Sequence, residues 1–232
     1  MTQKILGLLG GMSWESTVHY YSHINRCVRD ARGGLHSARL LLHSVDFDTI
    51  ATQQRQGDWA GAAQLLGQAG KGLAAAGAGA LVICTNTMHK VADEVAALAG
   101  IPLLHITDPT IAALQRAGVS RVGLLGTRFT MEDDFYRARL QVAGLQVHVP
   151  GAEDRAEIHR VIFDELCLGQ VLPASRQRYL AIIEALRADG AQAVILGCTE
   201  IAMLISPGDT RLPLFDTAQL HAEAAAAWLI QA

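Results

Sequence analysis

Two thiols occupy the same local setting in this chain of 232 residues. Cys84 closes the apolar run of "ALVICTNTMHK" and Cys198 that of "AVILGCTEIAML", and each is followed directly by Thr. A positioned thiolate can take a proton from carbon, and a positioned thiol can return one. Two such groups on opposite faces of a small carboxylate would invert a stereocentre, one charged and one neutral, so their titrations must be coupled. A β-branched run ending in Cys-Thr reads as a buried strand that leads into a helix. Open parallel sheets bind ligands outside the carboxyl ends of their strands. The unpaired amides and positive dipole end of a following helix favour a thiolate or a bound carboxylate. Thr85, Asn86 and Thr199 are N-cap residue types at those positions.

The elements that must position these thiols repeat along the chain. Apolar runs at 4–11, 38–44, 80–84, 102–106, 121–126, 145–149, 193–198 and 213–216 read as buried strands. Helical patterns lie between them at 14–31, 58–76, 88–99, 131–143, 153–168 and 174–189. This alternation predicts βαβ units and parallel sheets. "LGLLG" at 6–10 returns as "VGLLG" 116 residues later, Gly77 returns as Gly190 after 113, and Cys84 as Cys198 after 114. Ordered agreement of three landmarks favours two similar lobes over one doubly wound sheet with chance "GLLG" strands. The expected fold is α/β: two pseudo-symmetric lobes, each a parallel sheet flanked by helices, with the active site in the cleft between them. The lobes run over 1–107 and 108–216, and a C-terminal helix at 217–232 packs back on the first. Cys27 and Cys167, inside helical patterns, read as space-filling thiols.

Other residues fall into place around the strand ends. "GLLGGMSWEST" at 7–17 is a strand, a Gly-rich turn and a helix start, which would put Met12 and Ser13 against a ligand, with Ser13 also an N-cap type. It lacks the spacing of a dinucleotide fingerprint. The matching turn, "GTRFTM", offers Thr127 and Thr130, the latter equally an N-cap for 131–143. Glu200 either receives a substrate ammonium or sits favourably at a helix start. Gln54, in "QQRQGDW", could reach a ligand, and His43, Ser44 and Asp46 end the second strand. His89 reads as a surface helix residue. Zinc through Cys84 with His89 or His105 lacks the usual ligand spacing. Pyridoxal phosphate needs a Schiff-base lysine; the chain has only Lys4, Lys71 and Lys90, and no phosphate-cradling loop accompanies Lys90.

Net charge is −3, which advertises neither a nucleic-acid nor an anionic-membrane partner. No secretory leader or apolar run of membrane-spanning length is visible. Four cysteines without C-x-x-C spacing in a chain this long suit a reducing compartment. The expectation is a cytoplasmic protein.

The pieces "GLLGGMSWEST", "CTNTMHKVAD", "LLGTRFTMEDDFY", "IFDELCLGQ" and "LGCTEI" span nearly the whole chain. Together they resemble the aspartate/glutamate racemase superfamily, in particular its bacterial broad-specificity amino-acid racemases. That resemblance implies a homodimer without cofactor, with Cys84 and Cys198 as the base pair. It also implies substrate carboxylate and ammonium contacts from Gln54, Thr85, Asn86, Thr127, Thr130, Thr199 and Glu200. Aspartate-specific members hold the side-chain carboxylate with an Arg and a Lys in stretches that read "HSVDFDTI" and "LCLGQVLPAS" here, and neither contains a cation. A buried carboxylate without a cation is costly, so non-acidic α-amino acids are the expected substrates; Arg55 and Arg176 are the nearby cations that could reverse this. The alternatives are an aspartate or glutamate racemase, a maleate-type isomerase or malonate decarboxylase on the same scaffold, and a non-catalytic amino-acid-binding protein.

Overall fold

The computed structural model describes residues 4–231. Residues 1–3 and 232, the outer ends of the first expected lobe and of the helix predicted over 217–232, lie outside the described residues. The chain divides into two compact units: one runs up to Ile106 and takes in the segment from His221 onward, and the other is Thr107–Leu220.

The first unit contains β1 (Leu6–Gly10), α1 (Trp14–Arg32), β2 (Leu40–Ser44), α2 (Phe47–Gln56), α3 (Trp59–Ala75), β3 (Ala80–Ile83), a 3-10 turn over Thr87–Val91 and α4 (Ala92–Ala99). Its three strands are parallel in the order β2-β1-β3. β1 and β3 are buried throughout, and Leu9, Ile50, Leu66, Leu81 and Val95 share one core. Continuous apolar runs of this kind belong to strands covered on both faces. β2 differs from the buried strand expected: it lies at the sheet edge, and its last three residues are exposed. The strand expected over 102–106 is also absent. Pro102 O accepts from Leu81 N and Leu104 N donates to Leu81 O, which makes a single bridge between Leu81 and Leu103. α1 starts where Ser13 Oγ accepts from Ser16 N, with Glu15 in the first turn and Arg29 and Arg32 in the last, in keeping with the helix dipole.

The second unit contains α5 (Thr107–Arg116), β4 (Arg121–Gly126), α6 (Arg128–Glu132), α7 (Asp134–Val142), β5 (Gln146–His148), α8 (Ala152–Asp164), a 3-10 turn over Leu166–Leu168, α9 (Pro173–Ala188), β6 (Ala193–Gly197), α10 (Ile201–Leu204), a 3-10 turn over Pro207–Asp209 and β7 (Leu214–Asp216). α11 (Thr217–Ile230) begins in this unit and ends in the first. The four parallel strands run β5-β4-β6-β7. Leu125, Ile162, Tyr179, Ile183 and Leu196 form its core, and the buried Tyr179 hydroxyl donates to Ile158 O. The helix predicted over 131–143 is two helices, α6 and α7, because Asp133 is extended (φ −78°, ψ 151°) and interrupts the helical run. Among the described residues no helix is long and apolar enough to cross a membrane.

Candidate active site

Each unit carries one thiol at the carboxyl end of a strand, β3 in the first and β6 in the second, and in each the neighbouring strand supplies a turn beside it. In the first unit Leu9 pairs with Ile83, and Cys84 N donates to Leu9 O at 2.9 Å. Cys84 and the Gly10–Ser13 turn therefore leave the sheet side by side. The turn requires Gly11: its φ is +90°, and a Cβ there would lie 2.2 Å from Val45 O, in a region that side chains rarely adopt. Thr17 Oγ1 accepts from Gly11 N and donates to Ser13 O, which ties the turn to α1. Met12 and Ser13 are buried. Gln54, also buried, donates from Nε2 to Met88 Sδ at 3.1 Å.

In the second unit Gly126 pairs with Gly197, so Thr127 and Cys198 leave the sheet together. Either glycine with a side chain would press on backbone: a Cβ on Gly197 would lie 2.8 Å from Leu125 O, and one on Gly126 2.9 Å from Gly197 O. Thr127 Oγ1 accepts from Thr130 N and lies 3.2 Å from Thr130 Oγ1. Ser13 and Ser16 repeat this arrangement at α1, with Ser16 N donating to Ser13 Oγ at 3.3 Å and the two hydroxyls 3.4 Å apart. The hydroxyl pairs are separated by 114 residues, the same offset as the thiols. Thr130 is thus not the N-cap of a helix over 131–143; Thr127 caps α6, and Asp133 precedes α7.

The electrostatics differ from the expectation at both thiols. Burial pushes the Cys84 thiol up from its ordinary 9.0. Cys198 is also pushed up, by burial first and then by the Glu200 carboxylate, whose Oε2 lies 3.0 Å from Sγ. The helix starts do not offset this. The element after Cys84 is a 3-10 turn with Asn86 at its N-cap and no side-chain cap, and α10 after Cys198 is a single turn headed by Glu200. Neither Thr85 nor Thr199 is an N-cap. Asn86 and Thr199 are buried and Thr85 is half-buried, and Thr199 Oγ1 donates to Glu200 Oε2 at 2.6 Å. Desolvating a thiolate outweighs the field of so short a helix, so both thiols rest protonated. Cys27 and Cys167 are partly exposed, and none of the four cysteines is in a disulfide. Among the described residues no group of three His, Cys, Asp or Glu is placed to hold a metal ion.

Arg55 and Arg176, the cations that could reverse the expectation of non-acidic substrates, have partners of their own. Arg55 donates to Thr52 Oγ1 at 2.7 Å and lies 3.8 Å from Asp48, all on α2. Arg176 pairs with Asp209 at 2.5 Å. Directly before the second stretch, Glu165 is buried and accepts from Ser175 Oγ at 2.5 Å and from Arg160 at 2.9 Å.

Comparison with known proteins decides the family. Residues 9–225 match the profile described as Asp/Glu/hydantoin racemase. The chain belongs to that family. Membership places it among racemases, isomerases that act at a stereocentre. A crystal structure of a putative Asp/Glu racemase from Yersinia pestis superposes with a TM-score of 0.91 at 51% identity, covering 98% of this chain and 100% of the other. A crystal structure of an aspartate racemase homologue from Pyrococcus horikoshii OT3 gives 0.83 at 33% identity, covering 98% and 99%. The glutamate racemase of Beutenbergia cavernae is 32% identical over 140 residues, which are 57% of this chain and 45% of that protein. The racemase-family chain thus spans under half the length of that curated relative.

One cluster escaped the sequence reading. His89 is buried, not on the surface. Its Nδ1 lies 2.8 Å from Thr85 O, and its ring meets those of His105 and His221 at 4.7 and 5.5 Å between centroids. His221 Nε2 lies 2.8 Å from Leu104 O, and its Nδ1 lies 2.9 Å from the Tyr20 hydroxyl. No sequence spacing joins residues 20, 89, 105 and 221. The one local signal was His89 five residues after a thiol at a strand end.

Proposed function

We propose that this chain is a cofactor-independent amino-acid racemase in which Cys84 and Cys198 serve opposite faces of one substrate α-carbon. The observation that carries the reading is the matched pair of strand-end thiols, each beside a hydroxyl-capped turn, at a common offset of 114 residues. One thiolate removes the α-proton, the C–H electron pair stays on the substrate carbon, and the opposite thiol delivers its proton to that carbon. The used thiol and thiolate have then exchanged states, which suits alternate turnover of the two enantiomers. Glu200 gives substrate binding a role in starting this cycle. Burial first, and then its carboxylate, hold Cys198 protonated in the free protein; a substrate ammonium arriving beside Glu200 would offset that charge and favour the thiolate, with the thiol proton released to solvent. Met12, Ser13, Gln54, Thr85, Asn86, Thr127, Thr130 and Thr199 are the proposed substrate contacts around the two thiols.

The preferred side chain in this proposal is non-acidic. The engaged state of Arg55 and Arg176 and the buried Glu165 support it. The names of the relatives favour the second reading, aspartate or glutamate as substrate. Incubation with a panel of L-amino acids in D2O, followed by α-proton signal and chirality, separates the two. Racemisation of neutral amino acids with deuterium entering the α-position is expected. Turnover confined to aspartate or glutamate would move the substrate to the second reading. Reaction of maleate or a malonate alone, or binding without turnover, would overturn the class.

We also propose a homodimer in a reducing cytoplasm. Four cysteines outside any disulfide support the compartment. Trp14, Val18 and Tyr21, exposed at helical spacing on α1, with Leu42 exposed on the edge strand, support a partner surface. Sedimentation at twice the chain mass is expected, reverting towards one chain mass in Trp14→Asp.

A further inference from the structure

We infer that His89 is a positioning residue for the first thiol, acting through the carbonyl of Thr85 with its proton fixed on Nδ1. The inference rests on Cys84 being the reactive group of the proposed function, but its geometry stands within the first unit. A carbonyl oxygen only accepts, so the 2.8 Å contact to Thr85 O requires a proton on His89 Nδ1. His89 Nε2 is buried with no hydrogen-bond partner, an arrangement a neutral ring tolerates better than a charged one. Burial first, then His105 and His221, keeps His89 neutral well below the usual histidine range.

The ring that backs His89 is itself fixed. His221 Nε2 donates to Leu104 O, which leaves Nδ1 to accept from the Tyr20 hydroxyl. Leu104 N in turn donates to Leu81 O on β3. The segment after the first thiol is therefore clamped twice, by His89 at Thr85 and by the ring packed behind it. What the clamp holds is the short 84–86 turn, which is otherwise followed only by a 3-10 turn without a side-chain cap. Thr85 O lies in the peptide that joins Thr85 to Asn86, so fixing it holds the backbone directly after Cys84 and limits how far the thiol-bearing residue can turn.

The tautomer gives the test its discrimination. An Asn side-chain nitrogen sits where His Nδ1 does, and a Gln nitrogen sits where Nε2 does. His89→Asn should therefore keep the Thr85 bond, whereas His89→Gln and His89→Ala should lose it. The measurement is the alkylation rate of Cys84 by iodoacetamide, read peptide by peptide by mass spectrometry, with Cys198 as the internal reference. His89→Gln and His89→Ala are expected to raise the Cys84 rate about tenfold, the equilibrium weight of one buried hydrogen bond. His89→Asn should stay near wild type, and Cys198 should not change in any variant. Equal rates in the Asn and Gln variants, or a matching change at Cys198, would overturn the inference, because simple loss of core packing treats both alike. The racemase assay on the same variants adds a kcat loss with KM retained in Gln and its rescue in Asn. If the alkylation pattern holds while wild type turns over no amino acid, the proposed function fails and the positioning role stands.

Discussion

A buried thiol is a weak acid, and that sets the behaviour of both cysteines. Cys84 and Cys198 each have an upward-shifted folded-state pKa. Between the unfolded value of 9.0 and the higher folded one, the folded chain holds protons that the unfolded chain releases. Stability from this source is complete below pH 9.0 and declines as pH rises above it, so melting temperature should fall in alkaline buffer and fall less in Cys84→Ala. The histidines act at the other end of the scale. His221 is lowered from 6.5 to about 4 by burial, so in that window the unfolded chain holds the proton and the folded chain does not. Stability should decline as pH drops from 6.5 through about 4, and His221→Gln should flatten that decline. Glu200→Gln removes the charge that adds to burial in raising Cys198 and should let its thiolate form at lower pH, measured as faster Cys198 alkylation at pH 8 with Cys84 unchanged. The thiols were legible in the sequence because type and local pattern repeat. Their acidity was not, because it depends on desolvation and on the contact between Sγ and Glu200 Oε2.

At the scale of elements, sheets were more legible than the chain between them. β4 over Arg121–Gly126 and β3 over Ala80–Ile83 follow directly from continuous apolar runs. The run at 102–106 looked the same, yet it makes one bridge to β3 and no strand. Proline lacks the N–H that would extend a ladder. The helical patterns did not mark α2 and α5, which are ten residues each. The glycine turns distinguish strained positions from permissive ones. Gly11→Ala combines a positive φ with backbone 2.2 Å away and should destabilise by roughly 2 kcal/mol or more. Gly57 has φ +72° and nothing within 4 Å of its Cβ position, so Gly57→Ala should cost about 1 kcal/mol. Denaturant unfolding of the two variants checks the difference, and equal losses would contradict this account of the turn.

At the scale of the whole molecule, one supersecondary plan appears twice. Each unit is a parallel sheet in which two neighbouring strands end in a glycine-bounded turn on one and a thiol on the next. The offset of 114 residues that joins the thiols also joins Ser13 to Thr127 and Ser16 to Thr130. The repeat therefore reaches the hydroxyls that cap α1 and α6 as well as the strands. The two halves differ where the chemistry can differ. His89 backs the turn after Cys84, while Glu200 contacts Cys198. Under the proposed function, the two bases would have unequal environments. The central claim is that both thiols are needed for one proton transfer. Its most direct test is racemisation in D2O by wild type, Cys84→Ser and Cys198→Ser, followed by chirality and α-deuterium content. Each variant should lose roughly 100-fold or more of the racemisation rate while remaining folded, and racemisation by either variant at near the wild-type rate would contradict the two-base account.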